Sequence, residues 1–194
     1  MIADGDRPAG HKIGFTSVTM QKMYGMTGPH FGILMDRMFL EAGMPVPIGH
    51  LSDTRAEPEL AFELGRSLSG PGVTLADALR AKANDSLADN AGAGYVVFGE
   101  AALDPNDLDL ASINLSMDVD GILQSAPAGD VMGNPAEPLA WLANKLPELG
   151  GLGGALAAGD IVITGAPVKS VAVKPGSQLT SDFGSFGRID IHFT

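Results

Sequence analysis

Two glutamates, Glu57 and Glu59, stand two residues apart in the alternating run Glu57-Pro58-Glu59-Leu60-Ala61-Phe62-Glu63-Leu64. The alternation predicts a half-buried strand, with Glu57, Glu59, Ala61 and Glu63 on one face and Pro58, Leu60, Phe62 and Leu64 on the other. At about 3.3 Å of rise per residue, the two carboxylates leave the backbone in one direction about 6.5 Å apart. From there they can converge on one Mg²⁺ or Mn²⁺, ions that prefer oxygen ligands. Glu63 shares the face but lies about 13 Å from Glu59, beyond reach of the same ion. An ordinary solvated strand face has the same spacing, so spacing alone leaves both readings open. Lys12 sits between Gly10 and Gly14, close to the hydroxyls of Thr16 and Ser17. An ammonium there can hold a substrate carboxylate or enolate beside the amides of a helix start, although surface charge is the plainer reading. His11, His30, His50 and His192 show no pairing at metal-ligand spacing and receive no role. Ser17 has no His or Asp partner nearby in sequence, so a hydrolase triad finds no support.

These groups need elements to hold them. Glycine-bracketed residues 10–15 read as a short strand. A helix over 16–24 follows, with Thr16 or Ser17 as N-cap and Gly25 at the left-handed stop. Residues 26–56 are broken by Gly and Pro, with 31–39 the one stretch suited to a strand. Pro58 belongs near the start or edge of the Glu57 strand, because it cannot donate to a ladder. Thr74 caps a short helix through Arg80, with Asp77 in the first turn. Strands are expected at 95–98 and 113–119, with a turn at Asp120-Gly121 and a return over 122–124. The clearest helix takes Asn134 as N-cap, Pro135 at N1 and Glu137 at N3. Its apolar stripe is Leu139, Leu142, Ala143 and Leu146, and Pro147 ends it. The Gly-rich stretch 150–154 reads as a loop without a phosphate-binding role, and the remainder reads as β at 160–164, 169–173, 178–183 and 188–193.

Composition narrows the classes. The 194 residues favour one domain. Zero cysteines exclude disulfide scaffolds, thiolate catalysis, iron–sulfur clusters and zinc ribbons. Twelve basic against 23 acidic residues give a net charge of −11, which disfavours nucleic acid and anionic membranes as partners. No apolar run approaches the ~18 residues of a membrane helix. Met1-Ile2-Ala3-Asp4-Gly5-Asp6 lacks a basic-then-apolar signal pattern, so a cytoplasmic protein is expected.

Six motifs in order then form a familiar set. They are Gly10-His11-Lys12-Ile13-Gly14-Phe15-Thr16-Ser17; Phe31-Gly32-Ile33-Leu34-Met35-Asp36; Arg55-Ala56-Glu57-Pro58-Glu59-Leu60-Ala61-Phe62; Ala88-Asp89-Asn90-Ala91; Gly133-Asn134-Pro135-Ala136 with Trp141-Leu142-Ala143-Asn144-Lys145-Leu146; and Gly159-Asp160-Ile161-Val162 with Val173-Lys174-Pro175-Gly176. From about residue 5 to its end, the chain resembles the 2-hydroxypentadienoate hydratase and 4-oxalocrotonate decarboxylase group of the fumarylacetoacetate hydrolase superfamily.

The resemblance implies an α+β, strand-rich fold, a mixed β-sandwich roll with short flanking helices, as a single catalytic-type domain over 1–194. It implies Mg²⁺ or Mn²⁺ held by carboxylates, with Glu57 and Glu59 as the metal ligands. Lys12 stands at the position of the active-site lysine and Asp36 at that of its acidic partner. Ser17, Gly94, Thr164 and Gly165 fall in substrate-binding segments. The implied activity is that of a lyase on 2-oxo or 2-hydroxy dienoates of aromatic meta-cleavage catabolism. The first reading is a hydratase converting 2-hydroxypenta-2,4-dienoate to 4-hydroxy-2-oxopentanoate, and the alternative is a 4-oxalocrotonate decarboxylase. A homo-oligomer is implied, with association between partner hydratase and decarboxylase. Against that pattern the chain is shortened before Gly10 and again after Arg80, where the strand with the third metal-ligand glutamate is missing. No glutamate lies between Glu63 and Glu100, and Asp85 and Asp89 are the nearest substitutes. The loss is expected to leave a sheet edge unpaired. It also opens a reading from another class, a catalytically silent binding or assembly subunit.

Overall fold

The computed structural model describes residues 5–80, 87–89, 94–99, 108–149 and 154–194. Asp85, Asn90 to Gly92, Glu100 and most of the Gly-rich stretch after Leu149 lie outside the described residues. Three sheets carry the chain. The first is made of β1 (Pro8–Gly14), β2 (His30–Met35), β5 (Ala61–Glu63) and β10 (Ile161–Ile163), in the order β2-β1-β10-β5. The second combines β3 (Phe39–Leu40), β4 (Arg55–Glu59), β6 (Leu87–Asp89), β7 (Val96–Phe98) and β11 (Val171–Ala172), in the order β11-β4-β6-β7-β3. The third is the antiparallel set β8 (Asn114–Val119), β9 (Ile122–Pro127), β12 (Gln178–Asp182) and β13 (Arg188–His192), in the order β13-β12-β8-β9.

The helices are short, as expected. In α1 (Val18–Tyr24) the Ser17 hydroxyl accepts from the Met20 amide at 3.2 Å, and Gly25 closes the helix at φ 66. Thr74 and Asp77 form a reciprocal capping box on α2 (Leu75–Leu79). The third helix, α3 (Glu137–Lys145), starts later than the sequence suggests. Asn134 heads a turn, accepting from the Ala136 amide at 2.9 Å, and Ala136 occupies the N-cap. Pro147 does not stop the chain's coiling, because a 3-10 turn over Leu146–Leu149 continues it. The stripe Leu139, Leu142, Ala143 and Leu146 is fully buried in the main core.

Three further departures have physical reasons. The strand foreseen over 31–39 breaks at a 3-10 turn, Asp36–Met38, and its last residues join a different sheet as β3. The single strand foreseen over 57–64 is two, β4 and β5, which part at Leu60 and enter different sheets. Alternation survives such a crossing, so periodicity alone does not reveal it. Finally, among the described residues a short strand, β6, stands beside β4 in the second sheet. The β6 strand pairs with β4 on one side and β7 on the other, so at this place in the sheet β4 is paired among the described residues.

Candidate functional site

A cavity of about 330 Å³ opens between the first and second sheets. On the first sheet, register puts Lys12 beside Gly32 of β2 and Ile163 of β10, and Ile163 beside Ala61. Residues so paired share a face. On the second sheet, Glu57 lies opposite Asp89, and Asp89 opposite Val96. The two faces meet in a small apolar cluster of Leu34, Ala61, Val96 and Ile163. Lys12, from one sheet, and Glu57 and Glu59, from the other, line the same cavity with Ser17, Phe15, Phe31 and Gly165.

Each group is fixed by its local chain. Gly10 lets β1 approach β10, since a Cβ there would stand 1.9 Å from the Ile161 carbonyl oxygen. Phe15, just after β1, sits at φ 55, a left-handed conformation costly for a non-glycine residue, and packs edge-on against Tyr24 and His30. Glu59 is only 1% exposed, and its Oε2 accepts from the Gly165 amide at 2.5 Å. A buried carboxyl group with such a donor is held in a fixed orientation. Gly165 has φ 95, and a Cβ on it would meet the Thr16 hydroxyl at 2.2 Å, so that loop position requires glycine.

The structure therefore brings Lys12, Ser17, Glu57, Glu59 and Gly165 together. Ser17 reaches the cavity while its hydroxyl caps α1. Thr164 is fully buried beneath it, donating from Oγ1 to the Leu60 carbonyl at 3.2 Å, where β4 passes into β5. Neither Thr164 nor Gly94 is among the cavity-lining residues. Asp36 lies outside the cavity, four residues along the chain from Gly32. Its carboxylate accepts from the Arg37 amide at 2.8 Å and lies 3.5 Å from the Arg7 guanidinium. Among the described residues, no group of three or more His, Asp or Glu side chains converges as a metal site. Register does place Asp89 opposite Glu57.

Sequence reasoning missed His30, which shares the cavity with Met20, Phe31, Ala166 and Val168. The hairpin register that pairs His30 with Gly14 was the signal, but the turn-rich connection between β1 and β2 hides it. His11, one residue from Lys12, faces the other way. Burial lowers its pKa from 6.5, partly offset by the Asp160 carboxylate, and its Nδ1 has no hydrogen-bond partner among the described residues. No helix among the described residues is long and apolar enough to cross a membrane.

Comparison with known proteins bears on this arrangement. The chain is 36% identical to 2-hydroxyhexa-2,4-dienoate hydratase of Comamonas testosteroni, over 99% of its own length and 80% of the relative's. It is 39% identical to 2-hydroxypent-2,4-dienoate hydratase of Pseudomonas putida, over 77% of each chain. In structure it resembles 4-oxalocrotonate decarboxylase from Pseudomonas putida G7, solved with magnesium and adipate. The TM-score is 0.88 at 25% identity, covering 99% of this chain and 80% of that one. Residues 70–194 match the C-terminal domain of fumarylacetoacetate hydrolase. With that match across more than half its length, the chain belongs to the fumarylacetoacetate hydrolase family.

Proposed function

We propose that the protein is a lyase that hydrates 2-hydroxypenta-2,4-dienoate, or a close homologue, to the 4-hydroxy-2-oxo acid. The observation that carries this reading is the cavity itself, in which the Lys12 ammonium shares a space with the Glu57 and Glu59 carboxylates. The relatives supply the reaction class, since both hydratases act on 2-hydroxy dienoates by name.

The donor set fits a hard divalent cation. Two carboxylates against one ammonium line the described cavity, and carboxylate oxygens are what Mg²⁺ and Mn²⁺ take. Glu57 and Glu59 would hold the ion, with Asp89 the register position nearest to Glu57 for a third carboxylate. When bound, such an ion draws electron density from the substrate's carboxylate and 2-oxo oxygens as a Lewis acid. The chain's own residues do the rest. Lys12 places a positive charge where the C2 oxygen gathers negative charge. The Gly165 amide fixes Glu59, and Phe15, Phe31 and Val168 form an apolar wall for the diene that limits access of bulk water.

One observation favours a second reading. The decarboxylase neighbour was solved with adipate, a six-carbon diacid, and its fold matches this one closely. Decarboxylation of 4-oxalocrotonate would use the same electron sink. Purified protein with Mg²⁺, supplied separately with each substrate, distinguishes them: a water adduct supports the hydratase and CO₂ the decarboxylase. Inertness toward both supports the silent subunit. The same reading makes the protein a cytoplasmic homo-oligomer, and exposed Ile122 and Leu123 on β9, the outer strand of the third sheet, suit a contact between copies. Light scattering that gives a mass near 19.9 kDa at every concentration would refute it.

A further inference from the structure

The cavity face of the β1–β2 hairpin is a checkerboard of two polar side chains and two glycines. Lys12 stands opposite Gly32, and His30 opposite Gly14. Lys12 and His30 are thus diagonal cross-strand neighbours, a relationship that separates backbones by about 7–8 Å. A Cβ on Gly14 would find nothing within 4 Å, and one on Gly32 would first meet the Lys12 side chain at 3.5 Å. The glycines therefore leave the space over which the two side chains stand, and all four residues line the cavity.

The imidazole is oriented. Its Nδ1 lies 3.2 Å from the Gly28 carbonyl oxygen, and Phe15 meets its ring edge-on at 5.8 Å and 79°. A carbonyl can only accept, so that contact assigns the proton to Nδ1 and leaves Nε2 as the nitrogen free to exchange one. The charged groups that share the cavity with it are Lys12, Glu57 and Glu59.

Hydration of a 2-hydroxy dienoate requires chemistry at two ends of the substrate. A hydroxyl proton leaves at C2, and a proton arrives at C5. A group beside the C2 oxygen is poorly placed for the far carbon, and the cavity supplies a second group one diagonal away. We propose that His30 is a catalytic acid–base residue serving the C5 end; this rests on the lyase reading above. Nε2–H of the imidazolium gives its proton to C5. The C4=C5 electron pair forms the new C–H bond, the C2=C3 pair moves to C3=C4, and the C2 hydroxyl loses its proton to solvent as the C2 carbonyl forms. The neutral imidazole then takes a proton from the water whose oxygen bonds to C4. The C3=C4 pair takes the proton released earlier to form C3–H. One water is consumed, and His30 ends as it began.

The test compares His30→Gln with the unaltered protein, using 2-hydroxypenta-2,4-dienoate and Mg²⁺. Loss of the dienol absorbance and deuterium uptake at C5 in D₂O are followed together. The expected result is a fall of about 100-fold in kcat and in C5 labelling, the usual worth of a positioned acid–base group. KM and the Mg²⁺-induced rise in melting temperature should stay within about twofold of the unaltered values, reporting an intact fold and cation site. His30→Asp, which keeps a titrating group, should recover part of the rate with its pH profile moved toward acid; it also serves as the probe if the Gln variant fails to fold. A kcat and pH profile unchanged in both variants, with the unaltered enzyme active, would overturn the role of His30 alone. No turnover by the unaltered protein would overturn the lyase reading, and this role with it.

Discussion

The backbone amide of Gly165 donates to Oε2 of Glu59 across 2.5 Å, joining the loop after β10 to the buried end of β4. This bond explains how a carboxylate that is almost wholly enclosed keeps a fixed orientation toward the cavity. It also explains the glycine, whose left-handed φ and proximity to Thr16 exclude a side chain.

Gly165→Ala should therefore destabilise the fold by about 2 kcal/mol or more, combining backbone strain with a steric clash. Gly176 provides the comparison, because its φ is 94 but a Cβ there meets nothing within 4 Å. Gly176→Ala should show the strain alone. Urea unfolding of both variants checks this, and equal losses would mean that the Thr16 contact yields without cost. The Gly165 variant should also lose part of its Mg²⁺ response.

Bound Mg²⁺ should raise stability by mass action, by about 2.7 kcal/mol at one hundred times its Kd. Glu57→Gln is expected to abolish that increment. Asp89→Asn, which removes a negative charge at the register position opposite Glu57, should weaken binding about tenfold. Glu63 lies in β5 and does not line the cavity, so Glu63→Gln should leave the increment intact. Thermal melts across a Mg²⁺ titration read all three. An undiminished response in the Glu57 variant would remove that carboxylate from the ion.

How legible this site was in the sequence depended on the distance over which each constraint acts. The Thr74–Asp77 capping box and the Ser17 cap are contacts within one turn, and residue type alone announces them. Glu57 and Glu59 share a face because alternation is local too. The crossing at Leu60, which carries the chain from the second sheet into the first, leaves alternation untouched and so stayed hidden. The same holds for His30, which enters the cavity only through its register with Gly14. Asp36 shows the converse: its motif is continuous with Phe31 and Gly32, yet the end of β2 carries it away toward Arg7. The β6 strand was missed because a three-residue strand has too little pattern to read, whereas pairing on both sides suffices to form it.

Lys12→Ala should lower kcat by about 100-fold while changing the affinity for an unreactive 2-oxo acid by only a few-fold. A charge that meets an oxygen anion in the transition state contributes little before that charge develops. Steady-state kinetics alongside calorimetric binding of the unreactive acid separate the two effects. Loss of affinity equal to the loss of kcat/KM, with kcat retained, would make Lys12 a uniform binding contact.

The last prediction concerns pH and the opposite face of β1. His11 is buried, and its pKa in the folded protein is lowered below 6.5 chiefly by that burial, with Asp160 acting in the raising direction. The unfolded chain therefore binds a proton more readily, so stability must fall as pH drops below about 6.5 and level off only once the folded pKa is passed. Above about pH 6.5 the contribution is fully present. Asp77, Asp120 and Asp190 also have lowered pKa values, set mainly by hydrogen bonds from Thr74, Gln178 and Thr180 respectively. Their contributions are lost only as pH falls below 3.8 and through their folded values, so they do not move the curve in the histidine's window. Urea midpoints measured from about pH 8 to about pH 5 should decline for the unaltered protein and decline less for His11→Leu, which cannot take up the proton. Parallel curves for the two proteins would show that His11 is accommodated in its charged form, with Asp160 outweighing the cost of burial.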